Sequence, residues 1–387
     1  MIKYNKHSID QKDINSVIKS LKSEFIAQGP LSLEFEKQLS KKFGSSHCTV
    51  VSNGTSALHI SLIALNLNKE DIVLVSPITF VASAFAPIYS GLKIDFVDID
   101  MVNFAISVES LEKKIIELKS KNKKVSCLIV TDYSGIPANW KEINLLKKKY
   151  NFKIVNDNCH AIGSIYNNSN KYAVKYADIA VHSYHAIKNI TSCEGGSILT
   201  NNLKIDKVVK NLRTHGSVKN NFLTKNNGIW FYDISALGYN YRLSEIQCAL
   251  GISQLTKLDK FLKKRKKIAE IYDKKFKNIT NIKTPQYEKN KISSYHIYPL
   301  LINFNQLKIN KKSFFIKLKN LGYTLQVNYI PIYKFSFFKN KFNYKNLKYA
   351  EMFYNQQVSL PCYYDLKLSD ANKIADLIIK IIINHGK

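Results

Sequence analysis

The chain has 387 residues, of which 45% are apolar and 22% charged, with a formal net charge of +29. This is a globular composition long enough for two domains, so wholesale disorder is excluded. No run approaches the ~18–20 apolar residues of a membrane span, and Met1–Ser23 has no apolar signal-like core, so a cytoplasmic protein is expected.

The charge excess comes almost entirely from lysine. Of 58 basic residues only Arg213, Arg242 and Arg265 are arginine. Surfaces that grip nucleic acid use arginine for bidentate contacts, so the excess reads as compositional bias, with no specific nucleic-acid partner expected. The six cysteines form no CxxC pair, which argues against a disulfide framework and a zinc site. Reduced thiols and no metal are the expectation.

In chain order, Cys48–Ser52, Ile72–Ser76, Lys93–Val97, Val125–Val130, Lys153–Asn156, Ile179–His182 and Ser197–Thr200 are short, mostly apolar runs. They read as strands buried on both faces. Helical patterns such as Thr55–Leu65 and Val108–Ser120 lie between them. The alternation predicts an α/β fold with a mainly parallel central sheet flanked by helices. From about Gln254 the texture changes. Leu255, Leu258, Leu262, Ile268, Tyr272 and Phe276 predict one long amphipathic helix whose KKRKK run, Lys263–Lys267, is a solvated face. Tyr295–Ile302, Lys312–Leu321, Leu325–Tyr329 and a helix from Ser369 follow, and read as a smaller α+β unit.

Four segments carry chemistry. Ser52-Asn53-Gly54-Thr55-Ser56 follows a strand and opens a helix, where free N–H groups and the helix dipole favour an anion. A plain N-cap would use the same residues. Asp157 ends a buried strand, where α/β sheets place their ligands, though a capping Asp fits equally. Lys188 lies in a stretch poor in charge, Val181–Asn189. Desolvation lowers a lysine pKa and makes it a nucleophile toward carbonyls. A lone lysine in so basic a chain is normally on the surface, but the strand ends place Lys188 and Asp157 at one crevice. Together these elements fit pyridoxal 5′-phosphate. That cofactor needs a Schiff-base lysine, a carboxylate at the pyridinium nitrogen, an anion site and a flat group over the ring. Phe80 supplies the flat group, unless it packs in the core. The fourth segment, Gly238–Arg242 with Ile246–Gly251, reads on spacing alone only as a loop entering a helix.

These motifs, with Gln28-Gly29-Pro30, Thr79–Ala82, Asp157–Gly163, Ser183–Lys188, Glu194-Gly195-Gly196 and Leu212–Gly216, resemble the DegT/DnrJ/EryC/StrS family of sugar-nucleotide aminotransferases over essentially the whole chain. The resemblance implies aminotransferase fold type I, with a large cofactor-binding α/β domain at 1–250 and a small C-terminal α+β domain at 251–387. It implies that Lys188 bears the Schiff base and relays protons, and that Asp157 pairs with the ring nitrogen. His160 and Phe80 would lie against the ring, and Thr55, Ser56 and Ser183 would bind the phosphate. Asn240 would reach the cofactor of a second subunit, making a homodimer with active sites at the interface. Gln28, Asn328 and Tyr329 would contact substrate. Phe25–Pro30, His185–Lys188, Ser293–Pro299, Gln326–Tyr333 and Ser359–Cys362 resemble the pseudaminic-acid branch. That branch implies transfer of an amino group from glutamate to the C4 ketone of a UDP-linked 4-keto-6-deoxy-N-acetylhexosamine. Two positions depart from the family's pattern: Asn156, where many relatives have Glu, and Asn328, where many have His. A dTDP-4-keto-6-deoxyhexose or another nucleotide sugar is the alternative substrate, and a non-enzymatic basic binding protein the alternative class.

Overall fold

The computed structural model describes residues 1–339 and 347–386. Seven strands form the central sheet: β1 (His47–Val51), β2 (Ile72–Val75), β3 (Lys93–Phe96), β4 (Val125–Thr131), β5 (Lys153–Asp157), β6 (Ile179–Ser183) and β7 (Gly196–Thr200). Their order is β1-β7-β6-β5-β4-β2-β3. Only β7 runs antiparallel to its neighbours. Each predicted strand of this sheet is present within one or two residues, because continuous apolar runs such as Ile72-Val73-Leu74-Val75 suit strands covered on both sides.

The strand period of two splits those runs between two cores. On β4, Leu128 and Val130 join the core beneath the helices Pro30–Phe43 and Trp140–Tyr150. Cys127 and Ile129 join the core beneath the helices Gly54–Ala64 and Ala82–Tyr89. The parallel strands β1, β2, β4, β5 and β6 therefore end together along one edge, where their following loops carry Asn53, Thr79, Asp132, Cys159 and Tyr184. The antiparallel β7 starts at that edge, just after Glu194-Gly195.

A third core is built on a smaller antiparallel sheet, β8 (Ile282–Lys283), β9 (Tyr298–Ile302) and β10 (Gln357–Leu360), with β9 in the centre. The helices Leu258–Phe276 and Leu368–Asn384 cover it. The expected long helix is present as Leu258–Phe276, with only Leu255 falling instead at the end of the preceding helix, Glu245–Leu255. One expectation differs from the structure here. Leu325–Tyr329 forms no strand beyond an isolated pairing of Gln326 with Ser359. The KKRKK run is also not uniformly solvated. Arg265 shares a helix face with Phe261, Ile268 and Tyr272, is 3% exposed, and donates to the carbonyl oxygens of Tyr295, His296 and Cys362. No helix among the described residues is long and apolar enough to cross a membrane.

Candidate active site

The carboxyl edge of the sheet opens into a cavity of about 560 Å³. Lys188 lines it, held in the turn after β6 by its own N–H bonding to His185 O at 2.9 Å. The surrounding apolar walls pull the ammonium below its ordinary range, opposed by Cys159 and Asp157. Asp157, the last residue of β5, is buried at the same edge. Its Oδ2 accepts from Ser83 Oγ at 2.6 Å and its Oδ1 from the Cys159 N–H at 3.3 Å. Both partners are neutral donors, so the carboxylate has no basic residue locked to it in an ion pair.

His160 also lines the cavity. Burial first, and then Lys188, push its imidazole well below its usual pKa, so the ring is neutral. Its Nε2 lies 2.9 Å from the Tyr329 hydroxyl, and the two rings stack at 5.8 Å with 22° between planes. His296 packs on its other flank, 4.6 Å between centroids. Phe80 lines the cavity and is 53% exposed, too open for a core residue. A flat apolar face that stands half in the open suits a bound ring.

The helix Gly54–Ala64 starts at the cavity. Asn53 caps it, accepting from the Ser56 N–H at 2.8 Å. The N–H groups of Gly54 and Thr55, at the first two helical positions, have no carbonyl one turn earlier in the helix to bond and remain anion donors. Thr55 and Ser183 line the cavity. Ser56 does not: its hydroxyl faces back into the cap, between Asn53 and Ser52. Tight packing closes this corner. A Cβ at Gly196 would fall 2.5 Å from the Asn53 carbonyl oxygen, so β7 reaches the helix start only without a side chain there.

Eight of the eleven expected site residues thus share one cavity: Thr55, Phe80, Asp157, His160, Ser183, Lys188, Asn328 and Tyr329. Ser56 supports its rim. Gln28 and Asn240 are exposed and do not line it. Sequence reasoning assigned no role to several residues that also line it. His296 lay within the quoted Ser293–Pro299 segment, which was a visible signal. Tyr4 gave none, since more than 300 residues separate it from its partner Asn328. Arg265 does not line the cavity but binds the carbonyls of Tyr295 and His296 behind it, and was detectable from its place on the apolar face of its helix.

Behind the site, Asp132 is fully buried. It accepts from the Ala138 N–H, Trp140 Nε1, Tyr172 OH and the amides of Asn156 and Asn158. Burial pushes its carboxyl up to about 6 despite those donors. This explains the Asn at 156. A glutamate there would set a second carboxylate against Asp132, where Asn156 donates instead at 3.3 Å.

The profile of the DegT/DnrJ/EryC1/StrS aminotransferase family matches residues 7–379. A UDP-4-amino-4,6-dideoxy-N-acetyl-β-L-altrosamine transaminase of Campylobacter jejuni (serotype O:23/36, strain 81-176) is 38% identical over 385 residues, 99% of this chain and 98% of that one. Helicobacter pylori PseC, an aminotransferase of pseudaminic acid biosynthesis, superposes with a TM-score of 0.90 at 32% identity, covering 98% and 99% of the two chains. The sugar aminotransferase Spr1654 of Streptococcus pneumoniae, in its PMP form, superposes with a TM-score of 0.91 at 25% identity, covering 99% and 100%.

Proposed function

The chain belongs to the DegT/DnrJ/EryC1/StrS aminotransferase family, and from that premise we propose that it moves the amino group of glutamate to the C4 ketone of a UDP-linked 4-keto-6-deoxy-N-acetylhexosamine, in pseudaminic acid biosynthesis. The cofactor is pyridoxal 5′-phosphate, as the PLP and PMP forms of a solved relative accord with. The observation that carries the reading is the meeting of Lys188, Asp157, Phe80 and a capped helix start in one cavity.

The residues present fit the cofactor. Lys188 would hold its aldehyde carbon, Asp157 its ring nitrogen, and Thr55, Ser183 and the helix start its phosphate. Phe80 and His160 would flank the ring. Bound there, the group supplies an electron sink and a carbonyl that carries the amino group between substrates. The chain's own residues do the rest. Lys188 Nζ, its proton affinity lowered by burial, takes the proton from the glutamate α-carbon and in the second half delivers one to C4 of the sugar. Asp157 would face the pyridine nitrogen and favour a proton on it. Glutamate leaves as 2-oxoglutarate, and the ketone becomes the amine.

We place this reaction in a homodimer in the cytoplasm. Both substrates and the cofactor phosphate are anionic. Among the described residues lining the cavity, Lys188 is the only lysine or arginine, beside Asp157 and Glu194. A second copy would supply the missing positive groups. The arm before Asn240 carries Phe222, Ile229, Trp230 and Leu237 with large exposed faces, Trp230 at 75% and Leu237 at 85%. Large apolar side chains left this open suit an interface. The six thiols are unpaired, in keeping with a reducing compartment.

Incubation with glutamate and a panel of UDP- and dTDP-linked 4-keto-6-deoxy sugars, followed by NMR of the product, tests the assignment. The 4-amino UDP-N-acetyl sugar is expected. A product formed only from a dTDP sugar would move the substrate class and leave the chemistry standing.

A further inference from the structure

Asp157 is held from behind by a run of three hydroxyls. Ser83 Oγ donates to Asp157 Oδ2 at 2.6 Å. A hydroxyl has one proton to give, so Ser83 accepts from its second partner, Thr79 Oγ1, at 3.2 Å. Thr79 has then spent its own proton and accepts in turn from Thr131 Oγ1 at 2.9 Å. Every proton in the run therefore points toward the carboxylate. Thr131 is the last residue of β4 and pairs with Asp157 across the parallel ladder. The run thus leaves one strand end, passes through the loop after β2 and returns to the neighbouring strand end. Thr79, Ser83, Thr131 and Asp157 are all buried, Ser83 wholly, which leaves little room for water to replace a link.

We propose that Ser83 is a positioning residue for Asp157: it takes up Oδ2 and so leaves Oδ1 as the oxygen offered to the ring nitrogen of the cofactor. This rests on the cofactor assigned above. Oδ1 carries only the Cys159 N–H, at the longer distance of 3.3 Å. Asp157 and Cys159 line the cavity and Ser83 does not, so the Ser83 bond draws Oδ2 into the protein. The same segment also places Phe80. Thr79 and Ser83 bracket it in the chain, and the Ser83 N–H donates to the Phe80 carbonyl at 3.2 Å. Thr79–Ser83 therefore ties the flat side chain for the ring face to the carboxylate for the ring nitrogen. The consequence is chemical. A donor on a carboxylate favours its charged form and makes it a weaker base. The ring nitrogen then keeps its proton in competition with Asp157, and a protonated ring is the stronger electron sink.

The test is the ring-nitrogen chemical shift of ¹⁵N-labelled pyridoxal 5′-phosphate bound to the enzyme, read by solid-state NMR. The wild type should show a protonated ring nitrogen. Ser83→Ala removes the donor to Oδ2, so the signal should move toward that of a bare pyridine nitrogen. The same variant should lower kcat about tenfold, the worth of one hydrogen bond to a charged group, with KM for glutamate within about twofold. Ser83→Cys keeps the size of the side chain and a weak donor, so its signal should fall between those of the wild type and Ser83→Ala. A merely structural serine would lower the amount of folded enzyme and leave the shift where it was. A bare ring nitrogen in the wild type, or a wild-type shift in either variant, overturns the proposal. The shift is read without substrate, so its failure and the failure of the sugar assignment are distinguishable.

Discussion

Two regions meet at the cavity, and they are built differently. The floor is the carboxyl edge of a parallel sheet, where Asp157 and Lys188 sit at or just beyond the ends of adjacent strands and Thr55 opens a helix one turn after β1. The far wall is assembled from pieces distant in the chain: Tyr4, His296, Gln326 and Asn328-Tyr329, with side-chain hydrogen bonds joining Tyr4 to Asn328 and Tyr329 to His160, and backbone bonds holding His296 and Gln326. The floor is positioned by backbone ladders and carries the groups that any transamination requires. The wall lies outside the sheet's ladders, so its side chains can be altered one residue at a time without disturbing the sheet. Under the proposed function, reaction type would belong to the first region and selectivity to the second.

The largest test of that division falls on the floor. Lys188→Ala should cut turnover by at least about 10³-fold, because both proton transfers lose their base. It should also abolish the visible absorbance band of the lysine-linked cofactor while far-ultraviolet circular dichroism stays unchanged. Retention of both band and turnover would mean that the floor does not carry the chemistry.

A second break is structural and lies under the floor. Both oxygens of Asp132 are saturated by donors. Asp132→Asn turns an NH₂ toward some of them and should cost about 2–3 kcal/mol in urea unfolding at pH 7.5. The pH dependence has a definite sign. The folded carboxyl titrates at about 6, above the ordinary value near 4. The folded state therefore binds the proton more tightly, and this group's contribution is fully present below about pH 4 and lost as the pH rises through 6. The wild type should lose stability across that window relative to Asp132→Asn. Parallel pH curves for the two proteins would contradict the assignment.

The same contrast governs what the sequence made legible. Continuous apolar runs announced the strands of the sheet, and strand ends announced Asp157 and Lys188, because local pattern and site coincide there. The helix start showed a site but not which hydroxyl serves it: Ser56 is consumed by the cap, a matter of rotamer rather than of spacing. The wall was hidden for a different reason. Tyr4 finds Asn328 only through the folded chain, and nothing local in Met1–Ser8 marks it. Arg265 was masked by its lysine neighbours, although a period of 3.6 places it among Phe261, Ile268 and Tyr272.

Arg265 offers the sharper separation of the two regions. Its guanidinium satisfies the carbonyls of Tyr295 and His296 in the wall and of Cys362 beside the small sheet. Arg265→Met keeps most of the volume and leaves these carbonyls without that donor, at a cost of about 2 kcal/mol. The floor shares none of these bonds. The variant should therefore keep its cofactor absorbance band while KM for the keto sugar rises. Loss of the band together with substrate affinity would show that floor and wall are not separable.

The smallest effect belongs to Phe80, which stands between the two. Its ring is half open and meets Tyr329 at 6.2 Å between centroids, so it touches the wall while rising from the loop after β2. Phe80→Leu keeps apolar area but loses the flat face. Aromatic contact contributes about 0.5–1.5 kcal/mol beyond area, which converts to a roughly two- to tenfold weaker hold on the cofactor. Because the proton-transfer groups Lys188 and Asp157 are untouched, kcat at saturating cofactor should stay within about twofold of the wild type. Titration of cofactor-stripped enzyme with pyridoxal 5′-phosphate reads the first quantity and initial rates the second. An unchanged affinity would return Phe80 to the wall, as a substrate contact, and a large fall in kcat would make it part of the chemistry.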